Sequence, residues 1–307
     1  MELKRFSKGL LMLAAPPVLI ASLLPMFVGL AVAFQREDVA TLSNLLWFFL
    51  AAFTMVLIEI GKNTVNEYFD YMSGTDRFVE EENLTPFSGG RRVLTTGALS
   101  KTEVVFIGIC AFGIVILAGL VMALFKTFLI FWIGVLGVVI SILYTLPPFK
   151  LCYRGFGELA VGIVYGPLIL LGTYTLIAEQ YSTLPVLLSL PLGFLISNVL
   201  VINEFPDYEA DLKANKKNLV VILGKQRAVY LYNLLFLFAY VSFLPIVIYT
   251  ESFLFLPGLL TIPIAIKASL NCKKNYDNTK LMVASNKMTI AIHTITGILM
   301  IIAAILN

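Results

Sequence analysis

The chain has 307 residues, 59% of them hydrophobic and only 13% charged, with a formal net charge of +3. A soluble domain has about a quarter of its residues charged, so this composition excludes a soluble enzyme and demands apolar surface against lipid. The near-neutral balance gives no support to a nucleic-acid partner. Cys110, Cys152 and Cys272 lack the CxxC spacing of a thiolate metal site and form no disulfide framework.

A spanning helix needs roughly 20 mostly apolar residues. Nine segments qualify: 10–34, 44–66, 103–124, 127–147, 156–179, 184–205, 228–249, 252–270 and 286–306. The predicted fold class is therefore all-α, a polytopic membrane helix bundle of about nine transmembrane helices. The basic N-terminus leads into an apolar run with no small-residue cleavage pattern, which reads as a retained span and not a signal peptide. The breaks around Lys126 and from Tyr249 to Ser252 are short enough to make antiparallel hairpins. With the N-terminus inside, 20 of the 22 Lys and Arg residues fall on the cytoplasmic side, leaving Arg36 and Lys126 outside. That asymmetry follows the positive-inside rule and predicts a multi-pass protein of the cell membrane.

Two polar stretches, 61–102 and 206–227, are too long for plain turns and both lie on the cytoplasmic side of this topology. Each opens on a similar motif. The first runs Asn66-Glu67-Tyr68-Phe69-Asp70 and on to Gly74 and Asp76; the second runs Asn203-Glu204-Phe205-Pro206-Asp207 and on to Asp211. Asn66 and Asn203 are 137 residues apart, as are Asp70 and Asp207, and four predicted spans separate the copies. An even number puts both at one membrane face, so the repeat is parallel. Residues at i and i+4 share a helix face. Asn66 and Asp70 therefore project together, as do Asn203, Asp207 and Asp211, with Pro206 bending or starting a helix. Gly74 is placed to end the first helix, leaving Asp76 on a turn. Facing carboxylates repel unless a hard cation joins them, and Mg²⁺ typically takes one or two carboxylates plus substrate phosphates. The alternative for either motif alone is a solvated helix end.

Glu59, Lys62, Asn66 and Asp70 form one polar stripe on an otherwise apolar helix. Polar groups at membrane depth are functional candidates, and Lys62 is suited to a phosphate oxygen. The alternative is an i,i+3 ion pair with Glu59. Ser88-Gly89-Gly90-Arg91-Arg92 is either a basic turn closing on a diphosphate, through Arg92, or a topology signal. Prolines 147 and 148 end the fourth span and leave Lys150 near the headgroups. His293, alone in the last span, reads as a packing residue.

These phrases carry a resemblance. Asn66 to Tyr71, Thr85-Pro86-Phe87-Ser88-Gly89-Gly90, Arg92-Val93-Leu94, Tyr153 to Glu158, and Asn203 to Asp211 followed by Lys216-Lys217-Asn218-Leu219 resemble the UbiA superfamily of intramembrane prenyltransferases. The resemblance covers nearly the whole chain. It implies a helical bundle around a central cavity with cytoplasmic cap loops, and Mg²⁺-dependent loss of diphosphate from a prenyl donor. An electron-rich, usually aromatic, acceptor then attacks the cation. By position it implies Asp70, Asp207 and Asp211 as catalytic residues. Asn66, Asp70, Asp76, Asn203, Asp207 and Asp211 form the implied metal site, and Lys62, Arg92, Tyr144 and Lys150 the diphosphate site. Many members have Asn-Asp where this chain has Asn66-Glu67, and a second Asp four residues after the first where it has Gly74 and then Asp76. The longer spacing is closer to the menaquinone-type branch that prenylates 1,4-dihydroxy-2-naphthoate.

The chemistry suits the composition. A prenyl donor is an apolar chain with a charged head, and its cation needs a dry, π-rich wall, for which 23 Phe and 13 Tyr are available. The chain is expected to form a single membrane domain of pseudo-repeat halves at about 1–150 and 151–285, plus a final helix at 286–306. The expected partners are donor, acceptor and lipid, with no obligatory protein partner. Two other readings stay open. A terpene cyclase would share the ionisation and need no acceptor. A transporter would more often show inverted repeats and binding residues at mid-membrane.

Overall fold

The computed structural model describes residues 2–74, 85 and 90–307. Its first two helices, α1 (Glu2–Ala14) and α2 (Pro16–Ala33), divide the first predicted span at Ala15, whose φ is 46°. Proline disfavours the helical conformation of the residue before it, so Pro16 starts a new helix. α3 (Leu42–Ser73) is capped by the Thr41 side chain and ends at Gly74, φ 81°, as its glycine predicted. α4 (Lys101–Phe125) opens with a capping box in which Ser100 and Glu103 satisfy each other's backbone. Arg5 pairs with Glu103 at 2.6 Å and donates to Ala98 O at 3.0 Å, tying α1 to the start of α4.

α5 (Leu129–Leu143) follows after a tight turn. Its 15 residues reach roughly 22 Å, short of a full crossing. The next span joins α6 (Gly157–Ile163) and α7 (Ile169–Ala178) through a π-helical turn at Val164–Leu168. Then come α8 (Thr183–Lys213), the short α9 (Leu219–Leu223), α10 (Lys225–Val241) and α11 (Phe243–Thr250). A 3₁₀ stretch, Phe253–Thr261, runs into α12 (Ile262–Asn275), and α13 (Thr279–Leu306) closes the order.

Every predicted segment is thus helical. Among the described residues seven spans are long and apolar enough to cross a membrane, or eight if the bent α1–α2 pair counts as one. The protein is a multi-pass integral membrane bundle. α4 turns outward, with Phe106 66% and Leu124 78% exposed, a face that only lipid covers favourably. α8 is the central helix. Of its apolar window 67% is buried, against 28% for α4, and it packs on α2, α6, α10 and α13.

Two features of α8 place the site. Gly166 of the π-helical turn meets α8 backbone to backbone: a Cβ there would lie 2.8 Å from Gly193 Cα. No larger residue fits this crossing. Pro206 was expected to bend or start a helix; it starts none, and α8 continues through it. A proline cannot donate to the carbonyl four residues back, here Ile202. That oxygen instead accepts from Asn286 Nδ2 of α13 at 3.1 Å. A freed carbonyl inside a membrane needs such a partner, and with it the helix tolerates the proline.

Candidate active site

The stripe on α3 is realised, and each member meets a different neighbour. Glu59 is buried; its Oε1 accepts from Ser22 Oγ at 2.6 Å and from the Tyr165 hydroxyl at 2.5 Å, and its Oε2 lies 2.9 Å from Lys62 Nζ. The i,i+3 ion pair is therefore formed. Lys62 Nζ also stands 5.2 Å from the Tyr165 ring centre. Asn66 Oδ1 accepts from the Thr145 hydroxyl at 3.0 Å. Asp70 is buried and accepts from the Tyr153 hydroxyl at 2.9 Å.

Asp211 on α8 is also buried. It accepts from Asn218 Nδ2 at 2.7 Å and lies 3.5 Å from Lys216 Nζ. Burial alone would lower the Lys216 ammonium, but Asp211 and then Asp70 outweigh it and hold its pKa well above the ordinary value. One ammonium thus answers carboxylates from both motifs. Lys216 also lies over the Tyr153 ring at 5.8 Å, and Lys150 over the same ring at 4.8 Å. Asp207 is half-buried one turn after Asn203. Asn203 Oδ1 accepts from Asn286 Nδ2 at 2.7 Å.

Beside this cluster an open hollow of about 390 Å³ is lined by Ser73, Lys150, Tyr153, Arg154, Asn215 and Lys217, with Ala214 at its edge. It is basic, and Tyr153 forms the wall between it and Asp70. Cys152 beneath is held inert, its thiol pushed up to about 12 mainly by burial.

Several expected residues find other neighbours. Tyr144 is not where Lys150 goes; its ring packs over Gly157, where a Cβ would stand 3.4 Å from Tyr144 Cε2. Arg92 adopts φ 56° with its Nε buried. Arg91 beside it is also partly buried, and burial lowers its pKa against the opposing influence of Glu59, Tyr165 and Glu67. Asp76, Ser88 and Gly89 lie outside the described residues. His293 is buried in α13, in line with a packing role.

Sequence reasoning gave no role to Tyr153, Lys216, Asn218 or Thr145. Three of the four lay inside the quoted motif phrases, which was the available signal. The Asn-Glu pairs also gain a meaning. Glu67 is buried and accepts from the Leu94 N–H at 2.7 Å. It pins the loop before α4. Glu204 is buried against Glu158, whose Oε1 accepts from the Leu219 N–H at 2.6 Å.

Comparison with known proteins agrees with this geometry. The chain is 27% identical over 298 residues to the 1,4-dihydroxy-2-naphthoate octaprenyltransferase of Bacillus subtilis, covering 96% of this chain and 91% of that one. It is 29% identical over 301 residues to the UbiA prenyltransferase domain-containing protein 1 homolog of Drosophila melanogaster, covering 96% and 79%. Among solved structures, that of a digeranylgeranylglyceryl phosphate synthase superposes with a TM-score of 0.67 at 20% identity, over 98% of this chain and 99% of that one. A UbiA homolog from Archaeoglobus fulgidus bound to GPP and Mg²⁺ gives 0.64 at 18% identity, over 97% and 100%. These two show a shared fold. The family model for UbiA prenyltransferases matches residues 22–303, which takes in all the helices from α3 to α12 and every described side chain of the two motifs, and the chain belongs to the UbiA prenyltransferase family.

Proposed function

We propose that the chain transfers a prenyl group from a prenyl diphosphate to an aromatic, quinone-precursor-like acceptor in a Mg²⁺-dependent reaction within the membrane. The acceptor class we favour is 1,4-dihydroxy-2-naphthoate, named in the Bacillus subtilis relative. The observation that carries the reading is the convergence of Asp70 and Asp211, from helices far apart in sequence, on the one ammonium of Lys216. Such a cluster demands positive charge and offers an anionic head both cations and acids. As on the sequence evidence, we read the chain as one domain of two pseudo-repeat halves with a final helix.

The residues present fit Mg²⁺. The donors are oxygens only, with Asp70 and Asp211 buried and Asp207 on the next turn of α8. Among the described residues no three His, Cys, Asp or Glu side chains stand together closely enough to hold a metal ion by themselves, so water and substrate phosphates would have to complete its shell. Asp70, Asp207 and Asp211 would hold it, with Asn66 and with Asp76, which follows in sequence outside the described residues. When bound, Mg²⁺ neutralises charge building on the departing diphosphate.

The chain's own groups account for the rest. We assign Lys62, Arg92, Tyr144 and Lys150 to the diphosphate, and Lys216 and Arg91 add to that field. Their charges favour breaking the donor's carbon–oxygen bond with both electrons going to diphosphate. Tyr165, Tyr144 and the apolar walls of the bundle keep water from the cation until an acceptor ring carbon bonds to it, after which the ring releases a proton, or carbon dioxide from a carboxylate-bearing carbon, to regain aromaticity. The excess of Lys and Arg beside the site supports the reading in which it and the N-terminus face the cytoplasm. Cysteines introduced at 214–217 should react with an impermeant reagent only from that side of oriented vesicles; labelling from outside alone would refute the orientation.

The test of function is incubation of purified protein with Mg²⁺, prenyl diphosphates of several lengths and candidate aromatic acceptors, read by mass spectrometry. A coupled product that needs both substrates is expected. A product from the donor alone would support the cyclase reading instead.

A further inference from the structure

Asn203 has its direction set by a chain of contacts that begins at Pro206. The proline leaves the Ile202 carbonyl without its helical donor. Asn286 of α13 supplies one at 3.1 Å, and since a backbone carbonyl only accepts, the Asn286 atom there is its NH₂ nitrogen. The same nitrogen lies 2.7 Å from the Asn203 side chain, so the atom it meets is an acceptor, Asn203 Oδ1. One backbone oxygen therefore orients two amides in succession. Asn66 is oriented less firmly: its Oδ1 accepts from the Thr145 hydroxyl, a group that can turn to accept as well as donate. Asn286 is fully buried, and its own Oδ1 has no partner among the described residues. A buried orphan oxygen is costly, so this amide is held for what its nitrogen donates.

We infer that Asn286 is a positioning residue which occupies Asn203 Oδ1 and turns the Asn203 NH₂ toward the site, making Asn203 a hydrogen-bond donor to a diphosphate oxygen instead of an oxygen ligand to the metal. Among the described residues the Asn203 nitrogen has no protein partner. Half-buried at the end of the span, it lies one turn before Asp207 on the same face of α8. The last helix, outside the internal repeat, thereby becomes part of the second motif. The inference rests on the proposed function, since it takes the anion to be a diphosphate.

The test uses the full chain in lipid nanodiscs, with inorganic pyrophosphate as the probe. Calorimetry measures pyrophosphate binding with Mg²⁺, and Mg²⁺ binding alone. Asn203→Asp keeps an oxygen in place and replaces the NH₂ with a second one. It should weaken pyrophosphate roughly ten- to hundredfold, the range for one charge-assisted hydrogen bond, and leave Mg²⁺ affinity undiminished. Pyrophosphate binding by Asn203→Asp as tight as the wild type would overturn the inference. Asn286→Ala should lose pyrophosphate affinity and also unfold at lower temperature. Adding Pro206→Ala restores an N–H to the Ile202 carbonyl within the helix. The double variant should regain thermal stability without regaining pyrophosphate affinity. Recovery of both together would make Asn286 merely structural and overturn its positioning role. Absence of Mg²⁺-dependent pyrophosphate binding by the wild-type protein would overturn the proposed function and this inference with it.

Discussion

The two acidic motifs begin with the same Asn-Glu pair, yet the protein secures them differently. On α3, Glu67 reaches a loop N–H directly, at Leu94, and Asp70 is met by the neutral phenol of Tyr153. On α8, Glu204 works through a second carboxyl, Glu158, which holds the Leu219 N–H, and Asp211 is met by an ammonium and an amide. Helical spacing sets where a side chain projects, and it is common to both copies. The loops set how its charge is balanced, and they are not. Among the described residues the first motif gives Asp70 no ion pair of its own; the second brings Lys216, which serves both.

The largest expected effect tests whether the copies are equally needed. Asp70→Ala and Asp211→Ala should each lower turnover by roughly two to three orders of magnitude, and chelation should abolish it. A product assay in which Asp211→Ala keeps near-wild-type activity would break the comparison, leaving the α3 copy to work alone. Next is Lys62→Met, which keeps the apolar stem. We expect donor affinity to fall about tenfold, with acceptor affinity little changed. Unchanged donor affinity with a lower unfolding midpoint would assign Lys62 to its pair with Glu59 alone.

Smaller effects sharpen the contrast between the loops. Tyr153→Phe removes the hydroxyl on Asp70 and should raise the donor KM several-fold with little change in melting. Asn218→Ala should do both, because Asn218 also caps α9 by accepting the Val221 N–H at 2.8 Å, a contact whose loss costs about 1 kcal/mol. Equal melting of the two variants would count against this distinction. Smallest in activity is Glu67. Glu67→Gln keeps an oxygen for Leu94 N–H and should be close to neutral, whereas Glu67→Ala should destabilise by about 1–3 kcal/mol. A large loss of turnover in a fully folded Glu67→Gln protein would draw Glu67 into the chemistry.

Much of the bundle was legible because hydropathy records which segments meet lipid, and the i,i+4 spacing of Asn66 and Asp70 records a shared face. The parts that were not legible depend on the path of loops. Lys150, Gly155 and Asn215 all have positive φ, at 46°, 73° and 54°. Those turns carry Tyr153 and Lys216 to Asp70, and no periodicity encodes them. Lys150 was expected near the diphosphate, and its place over Tyr153 could not be foreseen. Pro206 was legible as a residue that frees a carbonyl. Its partner, Asn286, lies 84 residues from Ile202 in sequence, so the unbroken helix could be seen only in three dimensions. Ala15 was missed for the opposite reason: the prolines after it were visible, but the apolar run across them read as continuous.

The glycine crossing of α8 acts as the pivot of a lever. From Gly193 to Asp211 the helix is a rod of roughly 27 Å. A tilt of only about 5° at the pivot would swing the far end by about 2 Å, an order of magnitude beyond the roughly 0.2 Å tolerance of metal–oxygen distances. The absence of a side chain between Gly166 and Gly193 removes the rotamer choices that would give this pivot play. Aim at the acidic end of α8 is thereby governed by a contact about five helical turns away, and a single methyl group added there should spoil it.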